Sequence, residues 1–208
     1  MASPRIRRLQ LDAESIRSRF QGWPLIELSG QAGIPPELYR FTYRVRGLYV
    51  DSSGQILERD LHVMEVNLSL GYPRRAPQCR MLTPVFHPNF DDASVCIGDF
   101  WAAAEGLDDL VVRIGRMIAY QEYNVKSPLN GIAAKWAAQN MHLLPIDSRP
   151  IAPPMDGKSA LEHVTSASDA AAPPVSESAA PATFANSESD PRAETIVISR
   201  LSDAGTGI

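Results

Sequence analysis

Thr83-Pro84-Val85-Phe86-His87-Pro88-Asn89 opens the stretch that decides the fold, and Val95-Cys96-Ile97 and Trp101 close it. Tyr72-Pro73 and Ala76-Pro77 precede it, and Asn124, Pro128, Leu129, Asn130 and Ala133 follow in a spaced series. Each short motif is weak alone; their order and spacing carry the signal. Working outward, the chain before this stretch reads as strands. Tyr39, Phe41, Tyr43 and Val45 alternate with Arg40, Thr42, Arg44 and Arg46, the period of a half-buried antiparallel strand. Asp51-Ser52-Ser53-Gly54 supplies a turn. His62, Met64, Val66, Leu68 and Leu70 give a second alternation, ended by Gly71-Tyr72-Pro73, and Cys79 to Leu82 is a short strand stopped by Thr83-Pro84.

Helices flank the strands on both sides. Leu107, Leu110, Val111, Ile114, Met117 and Ile118 recur at helical spacing, with Asp108 and Asp109 in the first turn where the dipole favours them. Pro128 is expected to open a last helix containing Ile132, Ala133, Trp136 and Ala137. Ser3-Pro4 marks the start of an N-terminal helix, and Asp12 is expected to cap a second turn before Ile16 and Phe20. The class is α+β: an N-terminal helix, an antiparallel meander sheet, then central and C-terminal helices packed on one side.

Composition narrows the function. The chain has 208 residues, 44% apolar and 21% charged, enough to bury a core. No window of eighteen apolar residues occurs, so no membrane partner is expected. Five arginines and no apolar run in residues 1–20 argue against a signal peptide. Two cysteines, Cys79 and Cys96, make no disulfide scaffold or zinc site; reduced thiols in a cytoplasmic protein, without metal or cofactor, are expected. The net charge of -4 argues against a nucleic-acid partner. Residues 1–146 hold 16 Lys plus Arg against 15 Asp plus Glu, whereas residues 147–208 hold 4 against 9. Ala, Ser and Pro supply 22 of the 40 residues from 151 to 190. A domain over 1–145 and a flexible acidic tail over 146–208 are therefore expected, with Thr195 to Leu201 read as a disordered β-branched end or, as the alternative, a terminal strand motif that adds to a partner's sheet.

The ordered motifs resemble the catalytic core of ubiquitin-conjugating enzymes from about Arg5 to Asn140. That family has a Tyr-Pro turn, a His-Pro-Asn triplet, an active-site cysteine, a Trp before the central helix, and a downstream Asn-x-x-x-Pro-Leu-Asn-x-x-Ala pattern. This chain departs from the common members in shorter loops from His-Pro-Asn to Cys96 and from Cys96 to Trp101. It also departs in Arg74, where many members carry an aromatic, and in the absence of a recognisable final helix after Asn140. The reduced form looks like the divergent conjugating enzymes of bacterial ubiquitin-like operons. The resemblance implies a ubiquitin-like modifier and an activating enzyme as partners, with the acceptor amine unspecified. It makes Cys96 the acyl-carrying nucleophile, Asn89 a donor to the oxyanion or a brace of its loop, and His87 a structural residue. Ser127 falls where members place an Asp or Ser beside the active site, and Arg5, Arg7 and Arg8 fall on the helix that contacts the activating enzyme.

The chemistry also follows from the residues. A thiolate takes an acyl group from another thioester with little change in bond energy, and an amine attacking that carbonyl creates an oxyanion needing a donor. His87 read as a general base rests on sequence proximity alone; Ser127 reads equally as a cap before Pro128. Cys79, beside Met81 on an apolar strand face, reads as buried and inert. Two other classes compete: a non-catalytic modifier-binding module of the same fold, and a cysteine hydrolase pairing Cys96 with His87.

Overall fold

A computed structural model describes residues 3–97 and 101–154. Helix α1, Pro4–Phe20, begins as the sequence indicates: Ser3 Oγ accepts from the Ile6 amide at 3.2 Å and Pro4 opens the first turn. It runs unbroken, so Asp12 caps nothing. Its carboxylate is buried mid-helix, where Arg8 Nε donates to it at 2.9 Å and the Tyr72 hydroxyl at 2.6 Å. Two charge-assisted bonds offset the cost of burial that would otherwise exclude an acid there.

Among the described residues six strands follow: β1 Ile26–Gly33, β2 Pro36–Tyr43, β3 Gly47–Val50, β4 Ile56–Arg59, β5 His62–Asn67 and β6 Gln78–Met81. Four form one antiparallel sheet in the order β1-β2-β5-β6, and β3 and β4 form a separate hairpin. The expected Asp51–Gly54 turn closes that hairpin, with Asp51 Oδ1 accepting from the Ser53 and Gln55 amides at 2.8 and 2.9 Å. β5 stops at Asn67, short of the expected Leu70, because the chain turns there and leaves Leu70 88% exposed.

The register puts Tyr39, Phe41, Tyr43, Met64 and Val66 on one buried face of the sheet. They meet Leu9, Ile16 and Phe20 of α1 and the apolar face of helix α2, Leu107–Ile118, in one core. Burying each such side chain is worth about 1.5–3 kcal/mol. The opposite face carries a cross-strand row in which Glu65 pairs with Arg40 at 3.1 Å and Arg80 at 2.6 Å. A second cluster, Leu48, Phe86, Tyr120, Ala133, Trp136 and Ala137, joins the hairpin to helix α3, Gly131–Gln139. Pro128 does not open that helix: Asn130 caps it, its Oδ1 accepting from Ala133 N at 3.0 Å, and Ser127 is no cap.

Packing continues past the expected boundary at residue 145. Ile151 is 1% exposed, and Trp23 Nε1 donates to its carbonyl at 3.0 Å. Gly115 permits this approach, since a Cβ there would lie 2.7 Å from Ile151 Cγ2 and 3.1 Å from the Tyr43 ring. The compact unit extends through Pro153. The rest of the expected tail, including Thr195 to Leu201, lies outside the described residues.

Candidate active site

The sequence from His87 to Cys96 folds back on itself. Phe90 and Val95 form an antiparallel bridge, and the Cys96 amide donates to the Asn89 carbonyl at 2.9 Å. Asp91 makes the turn, its Oδ1 accepting from the Ala93 and Ser94 amides at 2.8 and 2.6 Å. Burial pushes the Asp91 carboxyl up, but these bonds outweigh it and hold it below its ordinary range. The Val95 amide donates to the Cys79 carbonyl at 2.9 Å, which fastens the hairpin to the outer edge of β6. Cys96 therefore stands at a sheet edge on a braced hairpin, free and half-buried.

His87 is fully buried under Phe90 and Tyr120, whose ring centroids lie 4.8 and 4.7 Å away. Its Nδ1 accepts from the Asn89 amide at 3.0 Å, and burial pushes its pKa down to about 3. A neutral imidazole whose Nδ1 accepts from the Asn89 amide supports the turn. The Asn89 side chain, 4% exposed, bonds both main-chain groups of Asn124: Oδ1 accepts from Asn124 N at 2.8 Å and Nδ2 donates to Asn124 O at 3.1 Å. This amide braces the loop after α2, and one Nδ2 hydrogen remains beyond that bond. The Asn130 amide donates to the Pro88 carbonyl at 3.0 Å. The downstream asparagines thus clamp the His-Pro-Asn turn from both ends, which gives their spacing a physical reason.

Ser127 lies exposed in the loop over 121–127. Cys79 is 5% exposed, and burial pushes its thiol up to about 12. Among the residues not singled out from the sequence, Tyr120 adopts φ 53° just past α2 and donates to the Phe86 carbonyl at 2.5 Å, locking the segment that enters His87. Nothing in the apolar period of α2 distinguishes it from a packed aromatic.

The three N-terminal arginines do not share one face. Arg5 pairs with Glu37 at 2.8 Å and donates to the Leu68 and Ser69 carbonyls at 3.2 Å. Arg8 holds Asp12, lies 5.3 Å over the Tyr72 ring and donates to the Ala103 and Glu105 carbonyls. Arg7 alone is exposed. Trp101 Nε1 donates to the Pro73 carbonyl at 2.7 Å, tying the Trp to the Tyr-Pro turn. Among the described residues no helix is long and apolar enough to cross a membrane.

Two of the solved structures to which this chain is similar come from Toxoplasma gondii and Plasmodium yoelii. One is the E2 domain of a Toxoplasma gondii ubiquitin conjugating enzyme, 19% identical, with a TM-score of 0.47 over 67% of this chain and 90% of that one. The other, described as a ubiquitin conjugating enzyme from Plasmodium yoelii, is 15% identical, with a TM-score of 0.49 over 70% and 90%. The family model for ubiquitin-conjugating enzyme matches residues 37–144, just over half of the chain, from β2 through the His-Pro-Asn turn and Cys96 to the end of α3. The chain belongs to the ubiquitin-conjugating enzyme family.

Proposed function

We propose that Cys96 accepts a ubiquitin-like modifier as a thioester from an activating enzyme and passes it to an amine. The observation that carries this reading is Cys96 itself: a half-exposed thiol on a hairpin fastened to both β6 and the His-Pro-Asn turn. In loading, the Cys96 thiolate attacks the carbonyl carbon of the incoming thioester; a new C–S bond forms, the old one breaks, and the donor's thiolate leaves. In discharge, the amine nitrogen attacks the same carbon, the bond to Cys96 breaks, and the amine's proton passes to water. Asn89 holds the hairpin, and its remaining amide hydrogen is the donor for the oxyanion. Ser127, in the exposed loop that Asn89 clamps, orients the amine.

The trimmed Cys96-to-Trp101 loop and the exposed Arg74 favour a bacterial ubiquitin-like pathway, and two free cysteines favour a reducing, cytoplasmic compartment. Of Arg5, Arg7 and Arg8, Arg7 remains the one offered to the activating enzyme. The chain beyond Pro153 is proposed as an acidic tail that leaves loading and discharge unchanged. The hydrolase reading loses its base, since His87 Nδ1 is committed to Asn89. The binding-module reading leaves the free, half-buried thiol without a use. A synthetic peptide ending in Gly-Gly, supplied as its mercaptoethanesulfonate thioester, tests the function: Cys96 acquires the peptide and yields it to free lysine, and a chain that loads but never discharges to an amine contradicts the proposal.

A further inference from the structure

Arg113 lies on the polar stripe of α2 between the exposed Asp109 and Arg116, yet it is itself only partly exposed. Its neighbours Leu110, Val111, Val112 and Ile114 are buried, and its own side chain is 28% exposed. Its Nη2 donates to the Ile97 carbonyl at 2.9 Å, and the same nitrogen lies 3.1 Å from Glu105 Oε1, a carboxylate whose side chain is 18% exposed. Placing a guanidinium against a helix core costs desolvation, and an aliphatic residue would pack there without that cost. The bond it makes goes to the carbonyl of Ile97, the residue after Cys96. On the other side, the Cys96 amide is held by the Asn89 carbonyl. The main chain around the thiol is therefore fixed at two points, one in the hairpin and one from α2.

Glu105 is itself held, because Arg8 of α1 donates to its carbonyl while the Glu105 carboxylate orients Arg113. Resting on the assignment of Cys96 as the acyl carrier, we infer that Arg113 is a positioning residue for discharge, aligned by Glu105. It fixes the backbone on the far side of Cys96 so that the thioester carbonyl meets the amine in one orientation. Small misplacements of a reacting centre slow transfer steeply, by roughly a hundredfold for an ångström. Substrate affinity, which depends on other surfaces, is left untouched.

The test loads full-length protein with the Gly-Gly peptide thioester and follows single-turnover discharge to a series of free lysine concentrations. Arg113→Met keeps the length of the side chain and removes the donor; Arg113→Lys restores one donor and the charge. The inference predicts discharge at least tenfold slower in Arg113→Met with the lysine concentration dependence unchanged, and recovery of most of the rate in Arg113→Lys. Glu105→Gln, which keeps the fold of the loop and weakens the alignment, slows discharge severalfold. Discharge of Arg113→Met at the wild-type rate overturns the inference, as does a slow Arg113→Lys that tracks a lowered melting temperature. If Arg113→Met does not fold, Glu105→Gln decides, and a wild-type rate there overturns it. The two readings fail separately: a peptide adduct that persists in Cys96→Ala removes the acyl carrier, whereas normal discharge in Arg113→Met removes only the positioning role.

Discussion

Asn89 shows how one residue can tie several parts of a site together. Both ends of its amide are bonded to the Asn124 main chain, and its own carbonyl holds Cys96. Asn89→Ala leaves the Asn124 N–H and C=O without these partners, a loss of about 1–3 kcal/mol. The expected outcome is a lower denaturation midpoint, with the Asn124 amide losing hydrogen-exchange protection and discharge slowed more than loading. Unchanged protection at Asn124 would contradict the brace. The two buried histidines predict a pH dependence. Burial lowers His87 to about 3 and His62 to about 4, so the unfolded chain binds protons that the folded chain does not. Both are depressed from an ordinary value of about 6.5, so stability contributed by the neutral rings is present above that pH and is lost as pH falls toward about 4. Urea midpoints measured across that window should fall with acidity, and His87→Gln should flatten the slope.

At the scale of elements, α1 separates roles that the sequence places together. Arg5 and Arg8 join α1 to β2, the end of β5 and the loop before α2, whereas Arg7 faces solvent. Arg5→Glu and Arg8→Glu should lower the melting temperature. Arg7→Glu should leave it unchanged while reducing the salt dependence of loading by an activating enzyme, since exposed charge acts mainly on association. Equal melting of all three variants would contradict the division. The elements differ in how far they could be read. β2 and β5 were legible because each buries one face against helices, which forces alternation from Tyr39 to Tyr43 and from His62 to Val66. β1 was not: it is an edge strand, exposed over most of its length and rich in Gly, Ser and Gln. Four-residue β3 and β4 are too short to show a period. The site was legible as a set of motifs, and Asn124 and Asn130 stood in the pattern. The mutual bonds that explain them depend on loops meeting in space. Arg113 carried no signal, since a cation in a helical period reads as a solvated face.

For the whole molecule, the described fold closes only when Ile151 docks. Trp23 of the segment after α1 binds its carbonyl, and Gly115 of α2 leaves room for its side chain. A boundary drawn from composition misses this, because Ile151 sits among prolines and alanines that mark a tail. Truncation after Pro150 should therefore lower the melting temperature, since removing a buried isoleucine side chain costs about 2–5 kcal/mol. Truncation after Pro154 should leave it unchanged. Gly115→Ala, which sets a methyl against Ile151, should destabilise by about 1–3 kcal/mol. Equal melting of the two truncations would place Ile151 outside the folding unit.

The central claim is that Cys96 carries an acyl group to an amine. Intact-mass measurement after exposure to the Gly-Gly thioester, followed by free lysine, tests it most directly. Wild type and Cys79→Ser should each gain one peptide mass that thiol reductant removes. That mass should transfer to lysine faster than from the same thioester on a short unstructured cysteine peptide. Cys96→Ala should gain none, because burial keeps Cys79 protonated and out of reach. A reducible adduct in Cys96→Ala, or transfer to lysine no faster than from the unstructured peptide, would contradict the account.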